Sequence, residues 1–344
     1  MTVPINKLSS VEVVGLGALN IDNIHQVESI PGDGETAVDG ERIERILSDG
    51  ETVVKESGLF PGGSAANTIY ALAKLGVKTS FIGVAGDDAD GEIILQNFQE
   101  VGVDTSQIIV KAGAKTGSVL CLSDKLGKRS LYVVPGANSL SAMNDIDFDY
   151  LNRAEMLHIS SFVDNAQFEI LLELIGKLKS SVKVSFSPGA LYAARGLKAL
   201  STILARTHII FTNESEMRQL TSDDFNSGAK RCLDLGCHIV VVTLGQGASY
   251  KTRMATSYIR TAEREYVIEP HAKSIISVSG AIGAGDAFAA GFLYGQLKGN
   301  GLQECGHLGD IIAQFSISKV SAREGLPTRV ELAQHYQQLY NQQL

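Results

Sequence analysis

The second half of the chain alternates between continuously apolar segments and amphipathic segments, and this alternation constrains the fold more than any other feature. Strands that are apolar on both faces belong to a parallel sheet with helices packed on both sides. The spacing therefore predicts a doubly wound α/β fold. The predicted strands are 155–162, 182–188, 207–213 and 237–245, and the predicted helices are 166–180, 190–206, 214–220, 285–298, 309–323 and 328–343.

The first third of the chain is less regular. A predicted strand at 11–22 runs into a charged stretch at 32–59 before a helix at 64–76 restores the alternation. Two further strands, 118–124 and 128–136, are joined by Lys125-Leu126-Gly127, which is a hairpin signal.

These irregular segments predict a second, smaller unit of antiparallel strands that leave the main sheet. We assign 22–61 and 116–136 to a small β lid over the acceptor site. We assign 1–21, 62–115 and 137–344 to the large α/β domain with the nucleotide-binding and catalytic residues. Residues 39–47 fit either a helix on the lid or a charged surface loop.

Composition limits the class of protein. With 344 residues, of which 44% are hydrophobic and 20% charged, the chain is expected to be globular, with about two domains or one large domain and an appendage. A net charge of −8 without a Lys/Arg run argues against a nucleic-acid or anionic-membrane partner. Four scattered cysteines suit a reducing compartment. A polar N-terminus and the lack of a long apolar run predict a cytoplasmic protein without signal peptide or membrane span.

A glycine-rich loop before a predicted helix is the strongest local signal for chemistry. Gly283, Ala284 and Gly285 precede Asp286, and small apolar residues follow at helical spacing. Glycines free the backbone amides at a helix N-terminus, which then form an anion site. A carboxylate at this point would repel a phosphate unless it accepts a proton, which is the role of a general base toward a hydroxyl nucleophile. The alternative is that Asp286 caps the helix.

Six short motifs follow one another along the chain, and together they resemble those of one family. They are Asn20-Ile21-Asp22, Gly62-Gly63-Ser64-Ala65-Ala66-Asn67, Val134-Pro135-Gly136-Ala137-Asn138, Asn213-x-x-Glu216, Thr243-Leu244-Gly245-Gln246-Gly247 and Gly283-Ala284-Gly285-Asp286. In this order they resemble the ribokinase-like (PfkB) family of carbohydrate and nucleoside kinases, over nearly the whole chain.

The resemblance implies ATP and Mg²⁺ as cofactors and phosphoryl transfer to a hydroxyl of a sugar or nucleoside. It implies that Asp286 is the general base and that Gly283, Ala284 and Gly285 form the anion hole. It assigns acceptor binding to Asn20, Asp22, Gly62, Gly63, Asn67 and Asn138. It assigns nucleotide binding to Asn213, Thr243, Gly245 and Gly247, and a water-mediated contact with Mg²⁺ to Glu216. A homodimer through the lid is a further expectation.

One loop departs from the family pattern. The family usually has D-T-x before the anion hole, whereas this chain has Gly280, Ala281 and Ile282. That aspartate helps to hold a monovalent cation in potassium-activated members, and glycine cannot supply the carboxylate. The loop at 321–327 also looks short. Potassium activation is therefore in doubt. The alternative is that a backbone carbonyl, or a positive side chain such as Arg323, takes over the structural role of the cation.

Two alternatives to a sugar kinase stay open. A nucleoside (adenosine-type) kinase would use the same chemistry and would need an apolar or aromatic wall in the lid. A non-catalytic sugar-binding protein on the same fold would be expected to lose the base, yet Asp286 is present.

Overall fold

A computed structural model describes residues 11–28, 30, 34–48, 53–123, 129–271 and 282–344 of the chain. The strands are β1 (Val13–Leu16), β2 (Asn20–Val27), β3 (Gly34–Ala37), β4 (Val53–Gly62), β5 (Thr79–Gly86), β6 (Ile108–Lys111), β7 (Gly117–Ser123), β8 (Arg129–Val134), β9 (Met156–Ser160), β10 (Lys183–Ser187), β11 (Thr207–Asn213), β12 (Ile239–Tyr250), β13 (Arg253–Arg260) and β14 (Glu265–Ile268). The α-helices are α1 (Gly40–Ser48), α2 (Ser64–Lys74), α3 (Ala89–Glu100), α4 (Phe148–Leu151), α5 (Asn165–Lys177), α6 (Gly189–Ala193), α7 (Gly196–Leu204), α8 (Glu214–Thr221), α9 (Phe225–Asp234), α10 (Ala284–Leu297), α11 (Leu302–Ile317) and α12 (Arg329–Tyr340).

The large sheet has two buried faces. Within the described residues it contains nine strands in the order β14-β13-β12-β11-β10-β9-β1-β5-β6. The pairs from β12 to β6 are parallel, and only β13 and β14 run antiparallel to their neighbours. Successive residues of β1, Val13 and Val14, enter different hydrophobic cores, with α2, α3, α10, α11 and α12 over one face and α5, α7, α8 and α9 over the other. The predicted α/β fold class is confirmed.

Several elements differ from the prediction in their limits. The strand predicted at 11–22 is two strands, because the chain leaves β1 after Leu16 and enters the second sheet at Asn20. The helix predicted at 190–206 is divided into α6 and α7, since Gly196 adopts a left-handed φ of 75° between them. The antiparallel strands β13 and β14 lie in a region for which the sequence pattern predicted no element.

A second sheet lies beside the first and has the strand order β3-β8-β7-β2-β4. The predicted hairpin is present as the antiparallel pair β7 and β8, although its turn residues Lys125, Leu126 and Gly127 lie outside the described residues. The expectation of an all-antiparallel lid was wrong: β2 pairs with β7, and β3 with β8, in parallel. Both β2 and β7 enter this sheet with their amino ends side by side, at Asn20 and Gly117, so they run in the same direction. The residue limits proposed for the two units stay a prediction.

The two faces of the second sheet, called the lid sheet below, have different apolar partners. On one face, Ile43 of α1 packs against Val27 and Leu122, so the helix predicted as one alternative for 39–47 is the one observed. On the other face, Ile24 and Val119 pack with Ile282, which lies next to the anion-hole loop. The lid sheet therefore rests with an apolar face toward the large sheet.

Two sequence-based expectations about the environment can be compared with the structure. The side chains of Cys121, Cys232, Cys237 and Cys305 are all buried. Among the described residues, the structure contains no helix with the length and hydropathy of a membrane span.

Candidate active site

Helices α2 and α10 begin side by side, and hydrogen bonds join their first turns at Asp286. Oδ1 of Asp286 accepts a hydrogen bond of 2.7 Å from Oγ of Ser64, and Oδ2 accepts one of 2.9 Å from Nδ2 of Asn67. Oγ1 of Thr68 donates to the main-chain oxygen of Asp286 at 3.2 Å. The N-cap of α10 is Gly283, not Asp286, so the capping alternative does not describe this carboxylate. Its two oxygens are oriented by the neighbouring helix.

The start of α10 has the geometry of an anion site. Gly283 has a left-handed φ of 76°, and a Cβ there would lie 2.4 Å from Cβ of Ala322, so only glycine fits. The first backbone bond of the helix runs from the amide of Ala287 to the carbonyl of Gly283. The amides of Ala284, Gly285 and Asp286 therefore have no acceptor within the helix. A Cβ at Gly285 would meet no atom of the described residues within 4 Å.

Asp22 lies on the lid side of this centre, deep in the protein. Its side chain is 7% exposed, and its carboxylate lies against Gly62, where a Cβ would come within 2.2 Å of the oxygens. Burial raises the pKa of Asp22 to about 7; the positive charge of Arg323 opposes this shift, while Asp286 and Glu35 add to it. Among the described residues, none donates a hydrogen bond to the Asp22 carboxylate.

The next glycine, Gly63, lets the same turn pass close to the backbone of Ala18. Gly63 is the N-cap of α2, with a φ of 100°, and a Cβ there would meet the carbonyl oxygen of Ala18 at 2.2 Å. Both glycines of the pair are thus required by contacts on opposite sides of the turn.

Asn20 and Asn138, predicted to bind the acceptor, are hydrogen-bonded to each other. Nδ2 of Asn138 donates to Oδ1 of Asn20 at 2.9 Å and to the carbonyl of Leu19 at 3.0 Å, while Oδ1 of Asn138 accepts from the amide of Leu19 at 2.8 Å. Both side chains are buried. The pair joins the start of β2 to the segment after β8, where the chain enters and leaves the lid sheet. Their role toward an acceptor stays a prediction.

Arg323 is buried beneath the acceptor side and holds several of these groups. Its Nε donates to Oδ1 of Asn67 at 2.9 Å, its Nη1 to Oδ1 of Asn97 at 2.7 Å, and its Nη2 to the carbonyl of Gly62 at 3.1 Å. The rings of Tyr70 and Phe98 lie 5.2 Å from the guanidinium carbon. Burial lowers the pKa of Arg323 to about 10, and Asp22, Tyr70 and Asp286 raise it in part. The group is therefore a fixed positive charge at neutral pH.

The residues predicted for the nucleotide lie at the end of β11 and in the middle of the neighbouring strand β12. Asn213 caps α8, with its Oδ1 accepting from the amide of Glu216 at 2.8 Å, and Oε2 of Glu216 accepts from the amide of Asn213 at 3.0 Å. Asn213 is paired in register with Thr243. Beyond Thr243 the ladder to β13 is interrupted until Ala248, and Gly245 and Gly247 have φ values of 60° and 116°. The interruption leaves backbone groups of 244–247 outside the ladder.

The lid sheet contributes a further carboxylate to this region. Glu35 of β3 is partly buried, and β3 packs against α6 of the large unit. Burial raises the pKa of Glu35 to about 7, and the negative charges of Glu216 and Asp286 raise it further. The negative charges of Glu216 and Asp286 therefore act on Glu35, although Glu35 belongs to the other sheet.

Three residues of this arrangement were not among the predicted site residues. Ser64 stands inside the glycine motif, so its position next to Asn67 was a signal that could have suggested a polar role. Arg323 was considered only as a substitute for a cation. Glu35 belongs to a charged stretch without any local pattern, and no sequence signal identifies it.

The residues fit a Mg²⁺–nucleotide complex better than a metal site made only of protein ligands. Among the described residues, no group of three or more His, Cys, Asp or Glu is arranged to hold a metal ion. Magnesium in nucleotide sites keeps several waters and relies on one or two carboxylates plus the substrate phosphates. That Glu216, in the first turn of α8, makes such an outer contact stays a prediction.

Within the described residues, the loop 321–327 offers one carboxylate, that of Glu324, whose Oε2 accepts a hydrogen bond of 3.0 Å from Oγ of Ser321. Gly280 and Ala281 lie outside the described residues, whereas Ile282 packs in the apolar cluster under the lid sheet. In the loop 321–327 the carbonyl of Ala322 accepts a hydrogen bond of 3.4 Å from Oγ of Ser316. Arg323 in the same loop places a positive charge beside the site.

Comparison with known proteins identifies relatives over most of the chain. The family model for pfkB family carbohydrate kinases matches residues 25–329. An uncharacterized sugar kinase of Archaeoglobus fulgidus is 36% identical over 260 residues, which cover 76% of this chain and 99% of that protein. A ribokinase of Staphylococcus aureus is 26% identical, with 94% and 99% covered. The crystal structure of adenosine kinase from Sinorhizobium meliloti superposes with a TM-score of 0.82 at 22% identity, covering 96% and 99% of the two chains, and supports the fold.

Proposed function

Because the chain belongs to the pfkB family of carbohydrate kinases, we propose that it transfers the γ-phosphoryl group of ATP to a hydroxyl of a sugar or sugar derivative, with Asp286 as the general base. The observation that carries the proposal is the placement of the Asp286 carboxylate. It lies in the first turn of α10, held by Ser64 and Asn67, beside three backbone amides without helical acceptors.

The geometry supports the following reaction. A hydroxyl of the acceptor lies at Asp286, which accepts its proton as the hydroxyl oxygen bonds to the γ-phosphorus. The bond from that phosphorus to the β–γ bridging oxygen breaks, and ADP leaves with the electron pair. The amides of Ala284, Gly285 and Asp286 donate hydrogen bonds to the transferred group as charge spreads over its oxygens. Bound Mg²⁺ would neutralise charge on the phosphates, and Glu216 is the residue suited to hold it through water.

The remaining site residues orient the acceptor and exclude water. Asp22 accepts hydrogen bonds from acceptor hydroxyls, since its buried carboxylate has no donor among the described residues. Gly62 and Gly63 bring the backbone close to the ligand. The apolar face of the lid sheet, resting near Ile282, keeps water from the phosphoryl group and so suppresses hydrolysis of ATP.

A nucleoside is the second candidate acceptor, and one observation favours it. The face of the lid sheet that turns toward the large unit is an apolar cluster of Ile24, Val119 and Val133, against which Phe60 packs. Such a wall suits the flat apolar surface of a base better than the hydroxyls of a free sugar.

A direct assay separates these possibilities. The purified protein is given Mg²⁺ and ATP with a panel of free sugars and nucleosides, and acceptor-dependent release of ADP is measured. ³¹P NMR of the product then shows which hydroxyl carries the phosphate. We expect at least one sugar or nucleoside to be phosphorylated with kcat near 1–100 s⁻¹, the usual order of magnitude for kinases. Failure of every acceptor to release ADP above the ATP-only background would contradict the proposal.

A further inference from the structure

The two oxygens of the Asp286 carboxylate are held by side chains of different chemistry. Oγ of Ser64 donates to Oδ1 of Asp286 at 2.7 Å, and Nδ2 of Asn67 donates to Oδ2 at 2.9 Å. Ser64 and Asn67 lie three residues apart in the first turn of α2, so they stand on one face of that helix. One oxygen of the carboxylate therefore bonds a hydroxyl, and the other bonds an amide.

The two sides of the carboxylate also differ in burial. Asn67 is 4% exposed, and its Oδ1 accepts a hydrogen bond from Arg323, which is 5% exposed. Ser64 and Asp286 are partly exposed, and Gly285, just before the carboxylate in the chain, is exposed. Oδ2 of Asp286 is therefore held from the protein interior, whereas Oδ1 is held by the more accessible of the two partners.

Only the hydroxyl can bond to a carboxylate oxygen in both of its protonation states. The guanidinium of Arg323 can only donate, so the amide oxygen of Asn67 faces it and the amide nitrogen faces Asp286. That nitrogen is also only a donor, and it has nothing to offer a protonated oxygen. A hydroxyl donates and accepts, and its hydrogen turns about the C–O bond without movement of heavier atoms. Ser64 can therefore donate to Oδ1 when this oxygen is ionised and accept from it when it carries a proton.

The Ser64 hydroxyl is not needed to start its own helix. The N-cap of α2 is Gly63, and the helix has no side-chain cap. The amide of Ala65 donates to Oγ of Ser160 at 3.2 Å instead. Among the described residues, the hydroxyl of Ser64 bonds to Asp286 alone. Its contact across to α10 is therefore the interaction that this side chain makes.

From these observations we infer that Ser64 is a positioning residue for phosphoryl transfer, and that Oδ1 is the oxygen of Asp286 that takes the proton of the acceptor. The inference rests on the proposed function and assigns its proton transfer to one atom. The O–H bond of the acceptor breaks, the proton bonds to Oδ1, and the electron pair of that bond joins the acceptor oxygen to the γ-phosphorus. Ser64 neither gains nor loses a proton, because its own hydrogen turns away from Oδ1 as the new proton arrives.

Ser64→Ala tests the positioning role, since it removes the hydroxyl and leaves a small side chain at the first position of α2. A hydrogen bond donated to a carboxylate stabilises its ionised form. Its loss should move the acid side of the pH profile of kcat/KM upward by about 0.5–1 pH unit. The kcat at the optimum should fall about tenfold, while KM for ATP stays within about twofold. Ser64→Cys, which keeps the shape but has a weaker donor, should change both quantities in the same direction.

Other charged groups of the site do not account for such a shift. Asp22, Glu35 and Arg323 each interact electrostatically with Asp286. Among the described residues, Ser64 donates a hydrogen bond to none of these three. Their effect on the pH profile is therefore common to the variant and the unmodified protein, and the difference between the two profiles belongs to Asp286.

Ser227→Ala is the matched control. Oγ of Ser227 donates to Oδ2 of Asp224 at 3.3 Å in the first turn of α9, and Ser227 is exposed. This variant also loses a bond from serine to aspartate at the start of a helix. It should keep the kcat and the pH profile of the unmodified protein.

A double-mutant cycle tests whether Ser64 acts through Asp286. Adding Ser64→Ala to Asp286→Asn should lower kcat by less than about twofold, because the proton acceptor that Ser64 positions is already lost. A further tenfold loss would show that Ser64 acts independently of the base and would overturn the inference. A Ser64→Ala variant with the kcat and pH profile of the unmodified protein would overturn it as well and leave the kinase activity standing. Failure of the unmodified protein to phosphorylate any sugar or nucleoside would instead refute the proposed function.

Discussion

Nε of Arg323 donates a hydrogen bond of 2.9 Å to Oδ1 of Asn67, across 256 positions of the chain. A guanidinium can only donate, so this bond fixes which end of the amide faces it. Nδ2 of Asn67 is thereby turned toward Oδ2 of Asp286, to which it donates at 2.9 Å. The orientation of the proposed base therefore depends on a residue that lies near the end of the chain and outside all six motifs.

This relationship predicts that Arg323 is a positioning residue. Arg323→Lys keeps the positive charge but cannot make three directed bonds to Asn67, Asn97 and Gly62. We expect kcat to fall by about tenfold, because one hydrogen-bonded group is misaligned, while KM for ATP stays within about twofold. Steady-state kinetics with the best acceptor measures both values.

The matched control for this variant is Arg153→Lys. Arg153 is exposed and packs its guanidinium carbon 5.6 Å from the ring centroid of Tyr150, far from the site. Its kinetics should equal those of the unmodified protein. A rise in KM for ATP equal to the loss in kcat for Arg323→Lys would contradict a role limited to positioning.

Asp286→Asn tests the general base. The change keeps the size of the side chain but removes the proton acceptor, so kcat should fall by roughly 10²–10⁴. ATP binding should survive, because repulsion between the carboxylate and the phosphates is relieved. Single-turnover kinetics and a separate measurement of ATP affinity check the two halves of this expectation.

Asp149→Asn is the control for the base variant, since Asp149 is an exposed acid in the first turn of α4. Near-normal turnover in Asp286→Asn would show that another group accepts the proton.

The buried Asp22 should reduce stability as the pH rises. Its carboxyl has a pKa of about 7 in the folded protein against an ordinary value of 3.8. Between these values the folded protein holds a proton that the unfolded chain has lost, so the stability from this group is complete below about pH 4 and is lost as the pH rises through 7. Asp22→Asn removes this loss, and at pH 8 its free energy of unfolding should exceed that of the unmodified protein by about 1 kcal/mol or more, a rise in Tm of about 2 °C or more.

Calorimetry at several pH values measures this difference, which should shrink toward pH 4. Asp87→Asn, at an exposed residue after β5, is expected to leave the profile of stability against pH unchanged.

The stabilised Asp22 variant should bind the acceptor poorly. Asp22→Ala or Asp22→Asn should raise KM for the acceptor at least about tenfold, since a hydroxyl bonded to a carboxylate contributes about 1.5–3 kcal/mol. An unchanged KM would move the acceptor pocket elsewhere.

Gly62→Ala tests the close contact between the glycine motif and Asp22. The added Cβ would lie 2.2 Å from the carboxylate oxygens, so Asp22 must move. KM for the acceptor should increase by at least about tenfold, with little change in KM for ATP. Gly176→Ala is the control, because a Cβ there meets nothing within 4 Å and α5 should gain about 1 kcal/mol from the better helix former. Equal acceptor KM values for Gly62→Ala and the unmodified protein would show that Asp22 tolerates displacement.

The sequence predicted those helices and strands whose limits are set by residues close to them in the chain. Strand β11 begins at Thr207 and ends at Asn213, as predicted, because its residues are apolar on both faces and a capping box starts α8 directly after it. The same local reasoning failed at Gly196, whose left-handed backbone divides a segment with uninterrupted helical spacing. It also failed for β13 and β14, which pair antiparallel at the sheet edge.

The site residues that belong to a short motif could be predicted from the sequence. Those that depend on contacts between residues far apart in the chain could not. The glycines at 62, 63 and 283 have steric reasons that their motifs already suggest. The hydrogen bond from Arg323 to Asn67 joins segments far apart in the chain, and so does the electrostatic effect of Glu216 and Asp286 on Glu35. No periodicity or spacing encodes such contacts, because they follow from how the lid sheet and the C-terminal loop pack against α2.

Potassium activation gives the last prediction. Gly280 cannot supply a carboxylate to a monovalent cation, and in the loop 321–327 the guanidinium of Arg323 already provides a fixed positive charge that bonds Asn67 and Gly62. A bound K⁺ acts through its charge and by ordering the loop, and both effects are here supplied by protein. Activity should require Mg²⁺ but change by less than about threefold, or ~0.7 kcal/mol in the barrier, when K⁺ replaces a bulky organic cation. The assay is run at constant ionic strength, because salt also screens the attraction of charged substrates. Activation of tenfold or more by K⁺ would show that backbone carbonyls alone build a cation site.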